Sequence, residues 1–356
     1  MDTPILTAEL LENIFRPAFL VKDGTIRQAN TAAAQLGFLP DSPVSAMICA
    51  GSEEYAQLTS GRLCLTLSVN GTHYLAVIFC NGSDLLFCLD PDVYEAELKA
   101  LALVAQQLRE PLSNALLGTG ALLPDEHLRD LPDVQLQLAK INQNLYRLHR
   151  ALCNMSDVGQ FATPRLTKAE YRNASALFDE YLEKAATYLE HSGHAISYTG
   201  TDHPISTVID AEKLERAVLN LLSNAAKFSV PGTTITASLR NAGNKLYFSV
   251  CTETKDPEQP IGNLFSQFLR NPGLESPENG IGLGLSIVRK AVAAHGGTLL
   301  VDRVQDTGIR FTISLPIVSP KDHELRAPTL RPGDYAGGYD HTLLELSDIL
   351  PPELYR

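Results

Sequence analysis

Residues Asp210–Ser229 read DAEKLERAVLNLLSNAAKFS, and residues Asn279–Lys290 read NGIGLGLSIVRK. In the first stretch Leu214, Val218, Leu221, Leu222 and Ala225 fall at helical spacing, which gives a helix one apolar, core-facing stripe. Asn220 and Asn224 are four residues apart and therefore share the other face. In the second stretch Gly280, Gly282 and Gly284 let the backbone approach a ligand closely, and the N-terminus of the helix that follows favours an anion. A glycine alternation alone is a weak signal. It gains weight from LGLSIV, from His295-Gly296-Gly297 and from the helix upstream.

Together the two stretches resemble the N box and G2 box of the GHKL ATPase superfamily in its histidine-kinase form. The resemblance implies ATP and Mg2+ as cofactors, held by Asn220, Asn224, Lys227, Phe228, Gly280, Gly282, Leu283 and Gly284. It gives Asn224 the metal, since magnesium takes oxygen ligands. It gives Lys227 the phosphate charge and Phe228 the flank of the adenine. Leu264-Phe265-Ser266-Gln267-Phe268 resembles the F box, and Gly297–Asp302 and Gly308–Pro316 read as the closing strands. In the hydrolytic branch a glutamate stands where this chain has Asn220, so a gyrase-like or chaperone-like ATPase is disfavoured.

One family feature is missing. After the strand Leu246–Val250 the family carries Asp-x-Gly-x-Gly, whose aspartate accepts from the adenine amino group; here the run is Cys251-Thr252-Glu253-Thr254-Lys255-Asp256-Pro257. Counting back from Phe265 puts Cys251 at the aspartate, the strand pattern puts Thr252 there, and Glu253 is the carboxylate next to both. A lost charge-assisted hydrogen bond costs about 1.5–3 kcal/mol, roughly ten- to hundredfold in affinity. Weakened rather than abolished nucleotide binding is the expectation.

Upstream, Leu98, Leu101, Ala105, Leu108, Leu112 and Ala115 form one apolar seam, and Val134, Leu138, Ile141, Leu145, Leu148, Leu152 and Met155 form another. Gly118, Gly120, Pro124 and Pro132 separate them. Two seams on one hairpin leave apolar surface bare, which a four-helix bundle in a homodimer buries. Ala105–Leu112, AQQLREPL, resembles the phosphoacceptor box Ser-His-Glu-Leu-Arg-Thr-Pro-Leu of histidine kinases. The nucleophilic histidine and its neighbouring acid are replaced by Gln106 and Gln107. An amide nitrogen has no free lone pair to attack a phosphate, so no catalytic residue is assigned. His149 and His127 lack the flanking motif and read as solvated surface histidines.

The N-terminal stretch has a strand ending in Val21-Lys22, a turn at Asp23-Gly24, a strand Thr25–Ala29, Asn30 as a helix cap, then strands Arg62–Val69, Thr72–Cys80 and Leu85–Leu89 joined at Asn70-Gly71 and Asn81-Gly82. This α+β pattern resembles a PAS domain, either a ligand sensor or a ligand-free pairing module. His73 beside a turn reads as a surface residue rather than a haem ligand.

The chain has 356 residues and a net charge of −12, which disfavours nucleic acid and anionic membranes as partners. No apolar run approaches the roughly 20 residues that span a bilayer, so a cytoplasmic protein without membrane insertion is expected. The six cysteines are scattered without CxxC spacing and read as reduced, buried thiols. The expected architecture is multidomain α+β: a PAS-like α/β sensor domain (8–91), an antiparallel helical hairpin (93–160), a GHKL-type α/β sandwich (165–317) and a flexible tail (318–356), in which 343–350 can form a short amphipathic turn that docks on the kinase-like domain or on a partner, a frayed tail being the favoured reading. The function expected is that of a degenerate sensor histidine kinase homologue in two-component signal transduction, a pseudokinase working as a homodimer with a response regulator or a true kinase as partner. Two alternatives stay open: an active kinase with another acceptor, and a nucleotide-free dimeric scaffold.

Overall fold

The computed structural model describes residues 8–14, 16–81, 84–89, 95–122, 131–160, 166, 168–230, 232–254, 284–304, 308–319 and 336–356. Asp23-Gly24 has φ of 51° and 76°, and Asn70-Gly71 has φ of 52° and 79°. Positive φ at both central residues makes a hairpin turn whose twist matches its strands. These turns close two hairpins in the N-terminal region, which runs α1 (Ala8–Glu12), β1 (Ala18–Lys22), β2 (Thr25–Ala29), α2 (Thr31–Gln35), β3 (Ile48–Ala50), α3 (Ser52–Ala56), β4 (Arg62–Val69), β5 (Thr72–Asn81) and β6 (Asp84–Leu89). The strands pair in the order β2-β1-β6-β5-β4, with β3 on β4. Asn30 caps α2 through its side-chain oxygen, 2.9 Å from the Ala33 N–H, and the same oxygen accepts from Ala18 N–H at 3.0 Å. Phe19 stacks on Phe38 and on Phe87 with ring centroids 4.9 and 4.8 Å apart, so aromatic rings fill the centre of this unit.

Two long helices follow, α4 (Glu95–Leu122) and α5 (Pro132–Gln160). They run antiparallel: Thr119 donates to Asn142 at 3.1 Å near one end, and the Arg109 guanidinium lies 3.7 Å from Cys153 Sγ near the other. Ala105, Leu112, Leu116 and Leu152 form the shared core. The α4 seam thus turns inward through Leu116 rather than Ala115, which is exposed, as are Leu108, Val134, Ile141 and Leu148. His149, expected on the surface, is 2% exposed, and its ring packs edge-on against Tyr339 at 5.5 Å. His127 lies outside the described residues.

The remaining elements are β7 (Ala169–Asn173), α6 (Ala174–Glu190), β8 (Ala195–Thr199), β9 (Ser206–Asp210), α7 (Ala211–Phe228), β10 (Thr234–Ala242), β11 (Lys245–Glu253), α8 (Gly284–Ala294), β12 (Thr298–Val304) and β13 (Gly308–Pro316). Strands β12-β13-β11-β10-β8 form a sheet, and β7 pairs with β9. Phe178 and Leu182 of α6, Val218 and Leu222 of α7, and Val288 and Val292 of α8 share one core with Phe248, Val250 and Ile313 of the sheet. This two-layer arrangement is the α/β sandwich the sequence implies.

Two features depart from the favoured sequence reading. The outer edge of β4 pairs antiparallel with β12, Cys64 opposite Leu299 and Leu63 opposite Leu300, which joins both sheets into one of eleven strands. Lys245 bridges to Glu54 at 2.8 Å across the junction. The second feature is the tail. The flexible stretch expected over 318–356 holds for none of 336–356, which pack on the molecule through α9 (His341–Glu345) and a 3-10 turn at Pro352–Tyr355. Leu344, Leu346, Leu350 and Tyr355 are at most 3% exposed. Burial of these apolar side chains outweighs the Pro- and Gly-rich composition on which the expectation of disorder rested. Among the described residues no helix is long and apolar enough to cross a membrane. All six cysteines are free; Cys64, Cys88 and Cys153 are buried, whereas Cys49 is exposed, contrary to expectation.

Candidate functional site

Helix α7 begins at Asp210, whose side chain accepts from the Lys213 N–H at 3.3 Å. Its apolar stripe Leu214, Val218, Leu221, Leu222 and Ala225 is fully buried, as the spacing implies. On the other face lie Asn220, fully buried, and Asn224, half-buried. Gly284, the last glycine of the second motif and the start of α8, abuts them. A Cβ at Gly284 would stand 2.7 Å from Asn220 Oδ1 and 3.9 Å from Asn224 Nδ2. The start of α8 and the polar face of α7, some sixty residues apart in the chain, are therefore in contact. Gly280, Gly282 and Leu283, and the F-box residues Phe265 and Phe268, lie outside the described residues.

The His295-Gly296-Gly297 run anchors α8 against α7. His295 is 8% exposed; its Nδ1 lies 2.7 Å from the Ala291 carbonyl, and its Nε2 accepts from the Asp210 N–H at 3.0 Å. One nitrogen donates and the other accepts, so the ring is neutral, and burial holds its pKa below the ordinary 6.5. The histidine thereby ties the end of α8 to the start of α7. Gly296 ends α8 with φ of 71°, and a Cβ at Gly297 would meet the Ser314 carbonyl at 2.0 Å.

The polar face of α7 is not open. Asn220 donates to the Arg216 carbonyl at 2.8 Å and to Glu345 Oε2 at 3.1 Å, and accepts from Arg150 at 3.1 Å. Glu345, fully buried, also pairs with Arg150 at 3.0 Å and Arg216 at 3.3 Å. Asp348 pairs with Arg150 at 2.8 Å and with Lys227. Burial alone would raise the Asp348 pKa, but Arg150 and Lys227 outweigh it and hold the carboxyl below the ordinary 3.8. At Lys227 burial prevails over the attraction of Asp348 and lowers the pKa from 10.5. Phe228 is half-buried. A cleft lined by Ser192, His194, Ala226, Lys227 and Ile349 opens beside the end of α7.

At the start of the absent aspartate motif, Thr252 is the residue facing the core: it is 3% exposed and in phase with Phe248 and Val250. Cys251 faces the opposite side, opposite Arg310, and Glu253 is exposed rather than turned inward. On α4, Gln106 and Gln107 are both exposed. Sequence reading missed Arg150, Arg216, Glu345 and Asp348. Arg216 had a signal, since it lies four residues before Asn220 on the same face. The other three meet only through contacts across some two hundred residues.

Residues 209–319 match the model of the histidine kinase-, DNA gyrase B- and HSP90-like ATPase family. The chain is 28% identical over 252 residues to the hybrid signal transduction histidine kinase D of Dictyostelium discoideum, covering 66% of this chain and 16% of that protein. It is 25% identical over 245 residues to the adaptive-response sensory kinase SasA of Prochlorococcus marinus, covering 67% and 62%. A solved structure of full-length ShkA with AMPPNP aligns with a TM-score of 0.48 at 22% identity, over 62% of this chain and 46% of that one. The chain thus spans less than two thirds of the length of these relatives. Residues 209–319 thus carry an ATPase domain of this type, and over about two thirds of its length the chain is similar to sensor histidine kinases.

Proposed function

We propose that this chain is a degenerate sensor histidine kinase that binds Mg-ATP but does not phosphorylate itself at the usual position. The observation that carries the reading is the approach of Gly284 to Asn220 and Asn224. A backbone without a Cβ beside two amide side chains fits a magnesium-bound triphosphate, with Asn224 at the metal, Lys227 at phosphate and Phe228 at the base. The sequence resemblance assigns Gly280, Gly282 and Leu283 to the same cradle. The bound nucleotide would supply a transferable phosphoryl group, and Gln106 and Gln107 offer it neither nucleophile nor base. His149 gives little support to an active kinase with another acceptor, because it is buried against Tyr339. Thr252 at the inward position cannot accept as a carboxylate does, which favours weak adenine recognition.

Residues 8–91 then act as a PAS-like input unit, whose ring-filled centre favours docking over ligand capture. Residues 93–160 act as the dimerisation hairpin, and 165–317 as the nucleotide-binding domain. Output passes to a response regulator or an active kinase. Titration calorimetry of the full chain with ATP and Mg2+ tests the reading. Binding that requires the metal and drops at least tenfold in Asn224→Ala is expected, whereas no heat at about 1 mM nucleotide even with the Glu345 and Asp348 contacts removed overturns it. Radiolabelled ATP should leave no acid-labile label on the chain, and the double substitution Gln106→His/Gln107→Glu should introduce one. A nucleotide-free scaffold is the second reading, favoured by the engagement of Asn220 and Lys227 with the tail.

A further inference from the structure

We infer that the C-terminal segment 340–356 is a built-in competitor of the nucleotide, closing the cleft with two carboxylates placed where phosphate charge would bind. The inference rests on the reading of Asn220, Asn224 and Lys227 as a nucleotide cradle and concerns how that cradle is controlled.

The tail reaches the cradle with acidic groups in both places where the cradle offers a partner. Glu345 takes the Asn220 amide and two guanidinium groups, Arg150 and Arg216. Asp348 takes Lys227 and a second nitrogen of Arg150. Three cations thus face two carboxylates in a pocket where Glu345 is wholly buried. On that reading a triphosphate needs Lys227 and the Asn220 face of α7, which the tail already holds, so the two ligands cannot occupy them together. Seating is not left to charge alone. Gln143 of α5 donates to the carbonyls of Ser347 and Leu350 at 3.1 and 2.6 Å, and Asn142 donates to that of Tyr355 at 2.8 Å. Leu346, Leu350 and Tyr355 enter the same core as α7. Asp340 caps α9 by accepting from the N–H groups of Thr342 and Leu343 at 2.9 and 3.0 Å, which fixes where Glu345 falls.

The same contacts clasp α5 to α7, because Arg150 belongs to the hairpin and Arg216 to the ATPase domain. Opening the cleft to nucleotide therefore removes the carboxylate clasp between hairpin and ATPase domain and leaves the direct bonds of Arg150 to Asn220 and of Arg216 to Asn154. Apparent affinity falls with the fraction of molecules whose tail is lifted, so a tail seated 99% of the time weakens ATP about hundredfold.

The test uses the full chain. Glu345→Gln/Asp348→Asn keeps the shape and removes both charges, and it should bind Mg-ATP at least tenfold more tightly than the unaltered chain. Saturating Mg-ATP should also speed amide hydrogen exchange across 343–350 in the unaltered chain, a readout that needs no variant to fold. Equal affinities together with unchanged exchange overturn the competitor while leaving the nucleotide reading intact. Absence of binding in both chains overturns the nucleotide reading, and the competitor with it.

Discussion

At Asn220 the side chain meets three groups at once, the Arg216 carbonyl, Glu345 and Arg150, and fills the space a Cβ at Gly284 would need. A buried amide must satisfy its donors and acceptor, and this one does so only with the tail in place. Glu345 is the most exposed to consequence. Glu345→Ala leaves Arg150 and Arg216 buried without their shared carboxylate, which should cost about 3–5 kcal/mol. A fall in the urea midpoint at unchanged slope measures it. His295 supplies a second residue-scale expectation. Its folded pKa lies below the unfolded 6.5, so its contribution is complete above about pH 6.5 and declines as pH falls through the folded value. The stability gap between the unaltered chain and His295→Asn should therefore narrow from pH 7.5 to pH 5.5 in urea titrations. Asp348 behaves likewise at lower pH: seating of the tail should hold above about pH 4 and weaken as pH falls from there through its depressed folded pKa.

Among the elements, α7 was the most readable because its pattern is local. Five apolar positions at helical spacing and a capping aspartate define its buried face and its start. Asp210→Ala removes the cap and should cost about 1 kcal/mol, visible as a lower melting temperature. The hairpin was half readable. Its helices follow from the seams, but Val134, Ile141 and Leu148 of α5, seven residues apart, remain 40–49% exposed. A heptad stripe left bare on a packed pair of helices wants a second pair. Ile141→Asp/Leu148→Asp should convert a dimer to a monomer in light scattering, with the helical content of each chain retained.

On the scale of the molecule, β4 and β12 turn two units into one sheet. Edge strands expose unpaired backbone groups, and each unit here presents its edge to the other. Gly61, with φ of 80°, lets the chain pass Val301, whose carbonyl would lie 2.5 Å from a Cβ there. Gly61→Ala should strain this junction by about 1 kcal/mol or more without disturbing either core. Separate unfolding of the two units, seen as a split calorimetric transition, would report it. The tail has the same long-range character, since it joins α5, α7 and the core.

The amino-acid sequence alone determined the hairpin turns, the strands they close, the apolar stripes and the glycine and asparagine motifs. All of these arise from φ preferences and side-chain spacing within a few residues. Only the tertiary structure decided that Leu344–Tyr355 docks, that Glu345 and Asp348 meet Arg150, Arg216 and Lys227, that His149 is covered, and that β4 completes the sheet of β12. Those pairings join residues far apart in the chain, where hydrophobic burial and desolvated charge outweigh local propensity, and no local pattern encodes which distant partner will be met.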